Sequence, residues 1–191
     1  MDKPDIAKIF PKWEDIPGNM IPEPLEQIDY LVGGSLRQWE GPSQEVLSPV
    51  CINDGGSFSQ ARLGSYPLCS SKEALQALDA AVKAYGSGRG EWPAMSVGKR
   101  IEFVRDFAFR MNEKKEEIVR MLMWEIGKPG KSAEKEFTRT IEYIENTIDA
   151  LKEMDRASSR FTVESGIVAQ IRRAPLGVVL CMGPFNYPLN E

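Results

Sequence analysis

The chain has 191 residues, a length typical of one ordinary domain. It carries 28 acidic and 24 basic residues, and the net charge of -4 argues against nucleic acid as a partner, because no basic excess is present to neutralise phosphates. It contains no histidine, which excludes Ser-His-Asp and Cys-His catalysis and histidine-ligated metal sites.

The first segment, residues 1–27, is rich in proline and charge. Because proline fixes φ and lacks a backbone donor, we expect an extended arm with one short helical turn and no long helix. In residues 28–69, short apolar runs alternate with Gly, Asn and Asp, for example at Gly33 and Gly34. This alternation predicts β-hairpins.

Helical periodicity begins at Ser70, which forms a capping box with Glu73. The helix that follows has an apolar stripe that includes Leu75, Leu78 and Val82, and glycines near residue 86 end it. The same periodicity predicts three further helices: one from about residue 96, one over about 113–126 and one over about 132–154.

The period changes to two after the last helix, and this change predicts a hairpin that turns near Ser165 and Gly166. The continuous apolar run 175–183 then predicts a strand buried on both faces of a parallel sheet, with the thiol of Cys181 buried. Such a strand needs neighbouring strands and crossover helices, so we expect this chain to be the first portion of a larger protein. Open α/β sheets bind ligands at the carboxyl ends of their strands.

The cysteines Cys51, Cys69 and Cys181 are widely spaced and form no C-x-x-C pair. This pattern is typical of reduced thiols in a cytoplasmic protein. The longest apolar run is far too short to span a bilayer, and the polar N-terminus has no apolar stretch behind it. We therefore expect neither a membrane segment nor a signal peptide.

Six short motifs occur in order from about residue 29 to the end. They are the strand turn 30–39, the helix 71–85, WPAMS at 92–96 with Arg100, EIGKP at 125–129, RAPLGVV at 173–179 and PFNYP at 184–188. In this order and spacing they resemble the motifs of the aldehyde dehydrogenase superfamily. Each motif is weak alone, but the ordered set is specific. EIGKP departs from the family pattern by having Ile in place of Thr.

The resemblance implies an α/β fold class. The chain would be an N-terminal fragment of the aldehyde dehydrogenase fold, with helices, the first strand of a Rossmann-like parallel sheet and a protruding β-hairpin. Residues 1–27 would be an N-terminal arm, and 28–156 would be the N-terminal part of the nucleotide-binding domain. Residues 157–174 would be the hairpin through which subunits form a homo-oligomer, and 175–191 would contain the first strand of the dinucleotide-binding sheet.

The resemblance also implies a reaction, the oxidation of a small aldehyde to the acid through a cysteine thioester with NADP or NAD as cofactor and without a metal. The nucleophilic Cys and the general-base Glu of the family lie further along the chain and have no matching position here. We therefore expect the isolated chain to be inactive.

Site residues follow from the same resemblance. Asn186 matches the asparagine whose side-chain amide stabilises the oxyanion formed when a thiolate attacks the aldehyde, and such a donor is typically worth about 10²–10³ in kcat. The segment Met182, Gly183, Pro184 and Phe185 would line the cofactor cleft.

Substrate specificity is indicated by residues 136–140 and 185–190, which resemble most the non-phosphorylating, NADP-dependent glyceraldehyde-3-phosphate dehydrogenases. The residues that hold the substrate phosphate in those enzymes match Arg139 and Tyr187. A guanidinium offers fixed bidentate donors and a phenol adds one more, so the assignment is chemically sound.

Alternatives remain open at this point. Asn186 could simply form a turn, Arg139 could be a solvated charge on a helix, and Tyr187 could be a packing aromatic. The substrate could be a non-phosphorylated aldehyde such as a semialdehyde. The chain could also be a non-catalytic assembly module derived from the family.

Overall fold

The N-terminal segment contains two short 3₁₀ turns, Trp13–Asp15 and Gly18–Met20, in the computed structural model, which describes residues 9–190. No described part of this segment forms a long helix, as its prolines predict. The beginning of the predicted arm, residues 1–8, lies outside the described residues.

The strands of the N-terminal half form two small sheets. In one, β2 (Asp29–Val32) and β3 (Ser35–Gln38) form an antiparallel hairpin. In the other, β4 (Ser43–Asp54) and β5 (Ser57–Pro67) form a long antiparallel hairpin, and β1 (Leu25–Glu26) pairs with β5 in parallel. Gly33 and Gly34 both have positive φ in the first turn, so the predicted hairpins are confirmed.

Five helices follow the second hairpin. They are α1 (Ser71–Tyr85), α2 (Glu91–Ala94), α3 (Val97–Glu113), α4 (Lys115–Glu125) and α5 (Gly130–Ser158). The predicted capping box is confirmed, because the Ser70 hydroxyl accepts from the Lys72 amide and the Glu73 carboxylate accepts from the Ser70 amide at 2.8 Å. The four helices predicted from periodicity correspond to α1, α3, α4 and α5.

Trp124, near the end of α4, joins the helices to the long hairpin. It is buried in a cluster with Ile52, Ala61 and Leu63 of β4 and β5. Its indole Nε1 donates to the Met20 carbonyl at 2.7 Å, so the N–H group of this buried side chain has a hydrogen-bond partner. The N-terminal turns, the hairpin and α4 therefore share one core.

A second set of buried apolar side chains lies on α3, α4 and α5, and α5 packs against both of the other helices. It comprises Ile101, Ala108, Leu122, Ala133, Phe137 and Ile148. Phe137 is only 1% exposed and lies beside Glu136, so this core fixes the segment of α5 that carries the polar residues described below.

The hairpin predicted after the last helix is confirmed. Its strands are β6 (Thr162–Glu164) and β7 (Ile167–Ala169). Ser165 and Gly166 occupy the two-residue turn with φ of 52° and 79°, as a hairpin turn of this kind requires. Every residue of both strands is exposed.

The structure differs from the sequence prediction at residues 175–183, which form no strand. Leu176, Val179 and Leu180 are 99%, 72% and 79% exposed, and Cys181 is also exposed. A strand is stabilised by hydrogen bonds to a neighbouring strand, and no described residue pairs with this segment. The described chain is therefore a mixed α/β structure with a partial sheet, and it lacks the predicted parallel strand.

Candidate functional site

The turn between α4 and α5 brings Lys128 to the start of α5. Gly127 follows the end of α4 with a φ of +64°, a left-handed conformation that glycine adopts without strain. Pro129 then occupies the N-cap position of α5. This reversal places the Lys128 side chain against residues that lie almost two turns further along α5.

One cleft, which we call the arginine cleft, has a volume of about 220 Å³. It lies between α5 and the C-terminal turn over residues 185–190. Its lining residues are Lys128, Ser132, Lys135, Glu136, Arg139, Tyr187 and Asn190. The structure thus brings Arg139 and Tyr187, predicted together as substrate-binding residues, to one cleft.

Arg139 is exposed on α5 and is held by Tyr143 one turn further on. Its Nη2 donates to the Tyr143 hydroxyl at 2.5 Å, and this hydrogen bond raises the pKa of the guanidinium above its ordinary value. No carboxylate within residues 9–190 forms an ion pair with Arg139. The guanidinium therefore keeps its full charge and has further N–H donors for a ligand.

Glu136 and Lys128 form a buried ion pair at the base of the arginine cleft. The side chain of Glu136 is 1% exposed and that of Lys128 is 14% exposed. Lys128 Nζ also lies 3.9 Å from the centroid of the Tyr187 ring, in cation–π geometry. Glu136 Oε1 accepts a hydrogen bond from the Leu189 amide at 3.3 Å.

The charges that line the arginine cleft are three cations and one carboxylate. Glu136 is paired with Lys128, whereas Lys135 and Arg139 form no ion pair among the described residues. The cleft is therefore electropositive, and its chemistry suits an anion that can accept hydrogen bonds from a guanidinium.

A second cleft, which we call the asparagine cleft, has a volume of about 630 Å³ and also includes Lys128. Its other lining residues are Leu47, Pro49, Gln60, Glu125, Ile126, Gly127, Pro129, Phe185 and Asn186. The Asn186 carbonyl accepts a hydrogen bond from Lys128 Nζ at 3.4 Å. Its carboxamide makes no hydrogen bond with a residue of the described chain, so its N–H groups are available to a ligand.

The profile of the aldehyde dehydrogenase family matches residues 52–191. The chain belongs to the aldehyde dehydrogenase family. The match includes α5 and the C-terminal turn, so it covers the whole arginine cleft and all of the asparagine cleft except Leu47 and Pro49.

Two curated members of the aldehyde dehydrogenase family illustrate the similarity. The N-succinylglutamate 5-semialdehyde dehydrogenase of Chromobacterium violaceum is 35% identical over 151 residues, which are 79% of this chain and 29% of that protein. The NADP-dependent glyceraldehyde-3-phosphate dehydrogenase of Streptococcus equinus is 33% identical over 132 residues, 67% of this chain and 27% of that protein. This chain thus spans less than a third of either relative.

A solved aldehyde dehydrogenase structure has the same fold. The NADP-dependent glyceraldehyde-3-phosphate dehydrogenase of Bacillus halodurans, complexed with NADP, is 28% identical and superposes with a TM-score of 0.69. The match covers 87% of this chain and 33% of that structure. This similarity confirms the predicted α/β fold of the family.

The segment predicted to line the cofactor cleft, residues 182–185, is irregular and mostly exposed. Met182 and Phe185 are 81% and 87% exposed, and Gly183 and Pro184 lie between them in an irregular stretch. Phe185 also borders the asparagine cleft. The cofactor role of this segment stays a prediction.

Sequence reasoning did not predict three of the charged residues that line the arginine cleft: Lys128, Lys135 and Glu136. In the sequence analysis, Lys128 occurs only in the EIGKP motif and Glu136 only in the segment 136–140 that resembles the glyceraldehyde-3-phosphate dehydrogenases. A signal was present, because Ser132, Lys135 and Arg139 are spaced to share one face of a helix.

Within the described chain, no group of three or more acidic or thiol side chains is placed to hold a metal ion. No described helix is long and apolar enough to cross a membrane.

Proposed function

We propose that this chain forms part of an NADP-dependent aldehyde dehydrogenase that oxidises glyceraldehyde 3-phosphate, and that the arginine cleft binds the phosphate. The observation that carries this proposal is that Arg139 and Tyr187, 48 positions apart in sequence, line one electropositive cleft. Two relatives with this substrate in their names, one curated and one solved, support the same conclusion.

Phosphate recognition would use donors of two kinds. The Arg139 guanidinium can present a bidentate pair of N–H groups to two phosphate oxygens, and the exposed ammonium of Lys135 adds a second positive charge. The Tyr187 hydroxyl makes no hydrogen bond within the described chain, so it can donate to a third oxygen.

Asn186 would act on the aldehyde end of the substrate. When a thiolate adds to the carbonyl carbon, the carbonyl oxygen takes up the negative charge, and the side-chain amide of Asn186 would donate a hydrogen bond to it. NADP, when bound, would accept the hydride from the substrate carbon. Lys128 lines both clefts, so the cleft proposed for the phosphate adjoins the cleft that Asn186 borders.

The phosphate assignment can be tested by titrating the 191-residue chain with glycerol 3-phosphate, which lacks the reactive aldehyde, in a calorimeter. Arg139→Leu should weaken binding at least about tenfold, as expected for loss of a charge-assisted bidentate contact. Arg110→Leu is the matched control, because Arg110 is an exposed arginine of α3 that pairs with Asp106 outside the cleft. Equal binding by the two variants would contradict the phosphate role of Arg139.

A carboxylated semialdehyde is the second candidate substrate. The Chromobacterium violaceum relative has a semialdehyde in its name, and a carboxylate also fits a guanidinium. The titration separates the candidates when glutarate is compared with glycerol 3-phosphate. Tighter binding of glutarate would favour the semialdehyde, whereas tighter binding of the phosphate supports the main proposal.

Catalysis by the isolated chain is not expected, because the nucleophilic Cys and general-base Glu of the family have no matching position in this sequence. The purified chain should form no NADPH from glyceraldehyde 3-phosphate, as followed by absorbance. NADPH formation above that of a preparation with blocked cysteines would contradict this expectation.

The hairpin β6–β7 would join subunits of a homo-oligomer. Val163, Ile167 and Val168 are 71%, 68% and 64% exposed, and burial of these apolar side chains against a second copy would be favourable. Val168→Glu should therefore lower the mass measured by light scattering. A stable oligomer that binds no anion would favour the non-catalytic assembly module instead.

The three free cysteines agree with the cytoplasmic location that we propose.

A further inference from the structure

The turn that carries Asn186 and Tyr187 is held by two residues with no role in the proposed function, Lys128 and Glu136. The Glu136 carboxylate is almost completely buried and forms an ion pair with Lys128. Its other oxygen accepts from the Leu189 amide at 3.3 Å, which attaches the C-terminal turn to α5. A buried carboxylate is costly unless it is paired and hydrogen-bonded, and here it has both kinds of partner.

Lys128 extends this contact to the two predicted site residues. Its Nζ lies 3.9 Å from the Tyr187 ring centroid and 3.4 Å from the Asn186 carbonyl oxygen. One ammonium group thus contacts the buried acid, the ring of Tyr187 and the backbone of Asn186. Lys128 lines both clefts, so these contacts lie where the arginine cleft adjoins the asparagine cleft.

We propose that Lys128 and Glu136 are positioning residues of this site. The ion pair anchors residues 186–190 on α5, so that Tyr187 borders the arginine cleft while Asn186 borders the asparagine cleft. The ligand-binding consequence rests on the proposed function, whereas the anchoring is a property of the chain that can be measured without a ligand.

The charge of Glu136 allows positioning to be distinguished from simple electrostatics. Glu136→Gln removes a negative charge from the lining of the arginine cleft, so Coulomb interactions alone would strengthen the binding of an anion. Positioning predicts the opposite result, because Lys128 loses its anchor and no longer holds the Tyr187 ring, although the glutamine can still accept from the Leu189 amide. We expect glycerol 3-phosphate to bind Glu136→Gln about tenfold more weakly than the unchanged chain, in line with the cost of misplacing a contact.

Lys135→Met is the matched control for this titration. It removes a cation from the same cleft, but within the described structure Lys135 forms no hydrogen bond or ion pair with the C-terminal turn. It should weaken binding through charge alone and leave the geometry of Tyr187 unchanged. Unchanged or tighter binding of glycerol 3-phosphate by Glu136→Gln would overturn the proposal.

A ligand-free NMR measurement tests the anchoring directly. Protons of the Lys128 side chain near Nζ lie over the face of the Tyr187 ring and should be shifted upfield by its ring current. Tyr187→Leu should abolish the shift and thereby assign it. Glu136→Gln should also abolish it, whereas Lys135→Met should not.

The two measurements separate two kinds of failure. If the unchanged chain does not bind glycerol 3-phosphate, the proposed function fails, and the ring-current shift still decides the positioning role. Absence of the shift from the unchanged chain would overturn the positioning role even if Glu136→Gln fails to fold.

Discussion

Removal of the Lys128 side chain should destabilise the chain strongly, because the carboxylate of its ion-pair partner Glu136 cannot reach water. In Lys128→Met the Glu136 carboxylate, 1% exposed, would stay buried without a cation. Loss of one partner of a buried ion pair typically costs about 3–5 kcal/mol in the free energy of unfolding. In a chain of this size each kcal/mol lowers the melting temperature by about 2–4 °C.

Removal of the carboxylate should cost less. In Glu136→Gln the ammonium of Lys128, whose side chain is 14% exposed, has some access to water. The amide oxygen of the glutamine can still accept from the Leu189 amide. The loss is then that of one charge-assisted hydrogen bond, about 1.5–3 kcal/mol.

Urea denaturation of the two single variants and the double variant tests this order. The double variant Lys128→Met/Glu136→Gln leaves no unpaired charge, so it should be more stable than Lys128→Met alone, with a coupling of at least about 1 kcal/mol. Lys135→Met, an exposed lysine of the same cleft, should change stability by less than about 0.5 kcal/mol. Additive single effects, or a cost of Lys128→Met no larger than that of Lys135→Met, would refute this reasoning.

Two other predictions concern local structure. Gly127→Ala should destabilise the chain by about 1–2 kcal/mol, because the φ of +64° at this position disfavours a side chain. Gly98→Ala should instead stabilise the chain by about 0.4–1 kcal/mol, because Gly98 lies in the first turn of α3 with open space around it. Urea denaturation measures both changes, and equal signs would contradict the prediction. Hydrogen bonds from Ser70 hold the pKa of the Glu73 carboxyl below its ordinary value, so this stabilising contribution is present at neutral pH and is lost as the pH falls through that lowered pKa. Between about pH 6 and about pH 3, Glu73→Gln should therefore lose less stability than the unchanged chain. Identical pH profiles of stability for Glu73→Gln and the unchanged chain would contradict this prediction.

Elements that depend on near neighbours in sequence were predictable. The capping box of α1 needs only residues three positions apart, and the Ser165–Gly166 turn needs only two residues that tolerate positive φ. The motif order was equally readable, and the family that it indicates is the one whose profile matches residues 52–191.

Burial was predicted less well than secondary structure. Leu75, Leu78 and Val82 form the expected apolar stripe on α1, yet they are 59%, 48% and 52% exposed. The apolar run 175–183 has the composition of a buried strand but has no paired neighbour in the described structure. Periodicity shows which face an element could bury, and only a packing partner decides whether it does so.

By itself the sequence determined the helices, the hairpins, the family and the identity of the candidate residues Arg139, Tyr187 and Asn186. Only the tertiary structure showed that Arg139 and Tyr187 share a cleft. It also showed that the buried pair of Lys128 and Glu136 contacts the C-terminal turn that carries Tyr187. The reason is physical. Capping and turn formation use hydrogen bonds between neighbours in the chain, whereas the burial of Glu136 and its pairing with Lys128 exist only once α5, the α4–α5 turn and the C-terminal turn have packed together.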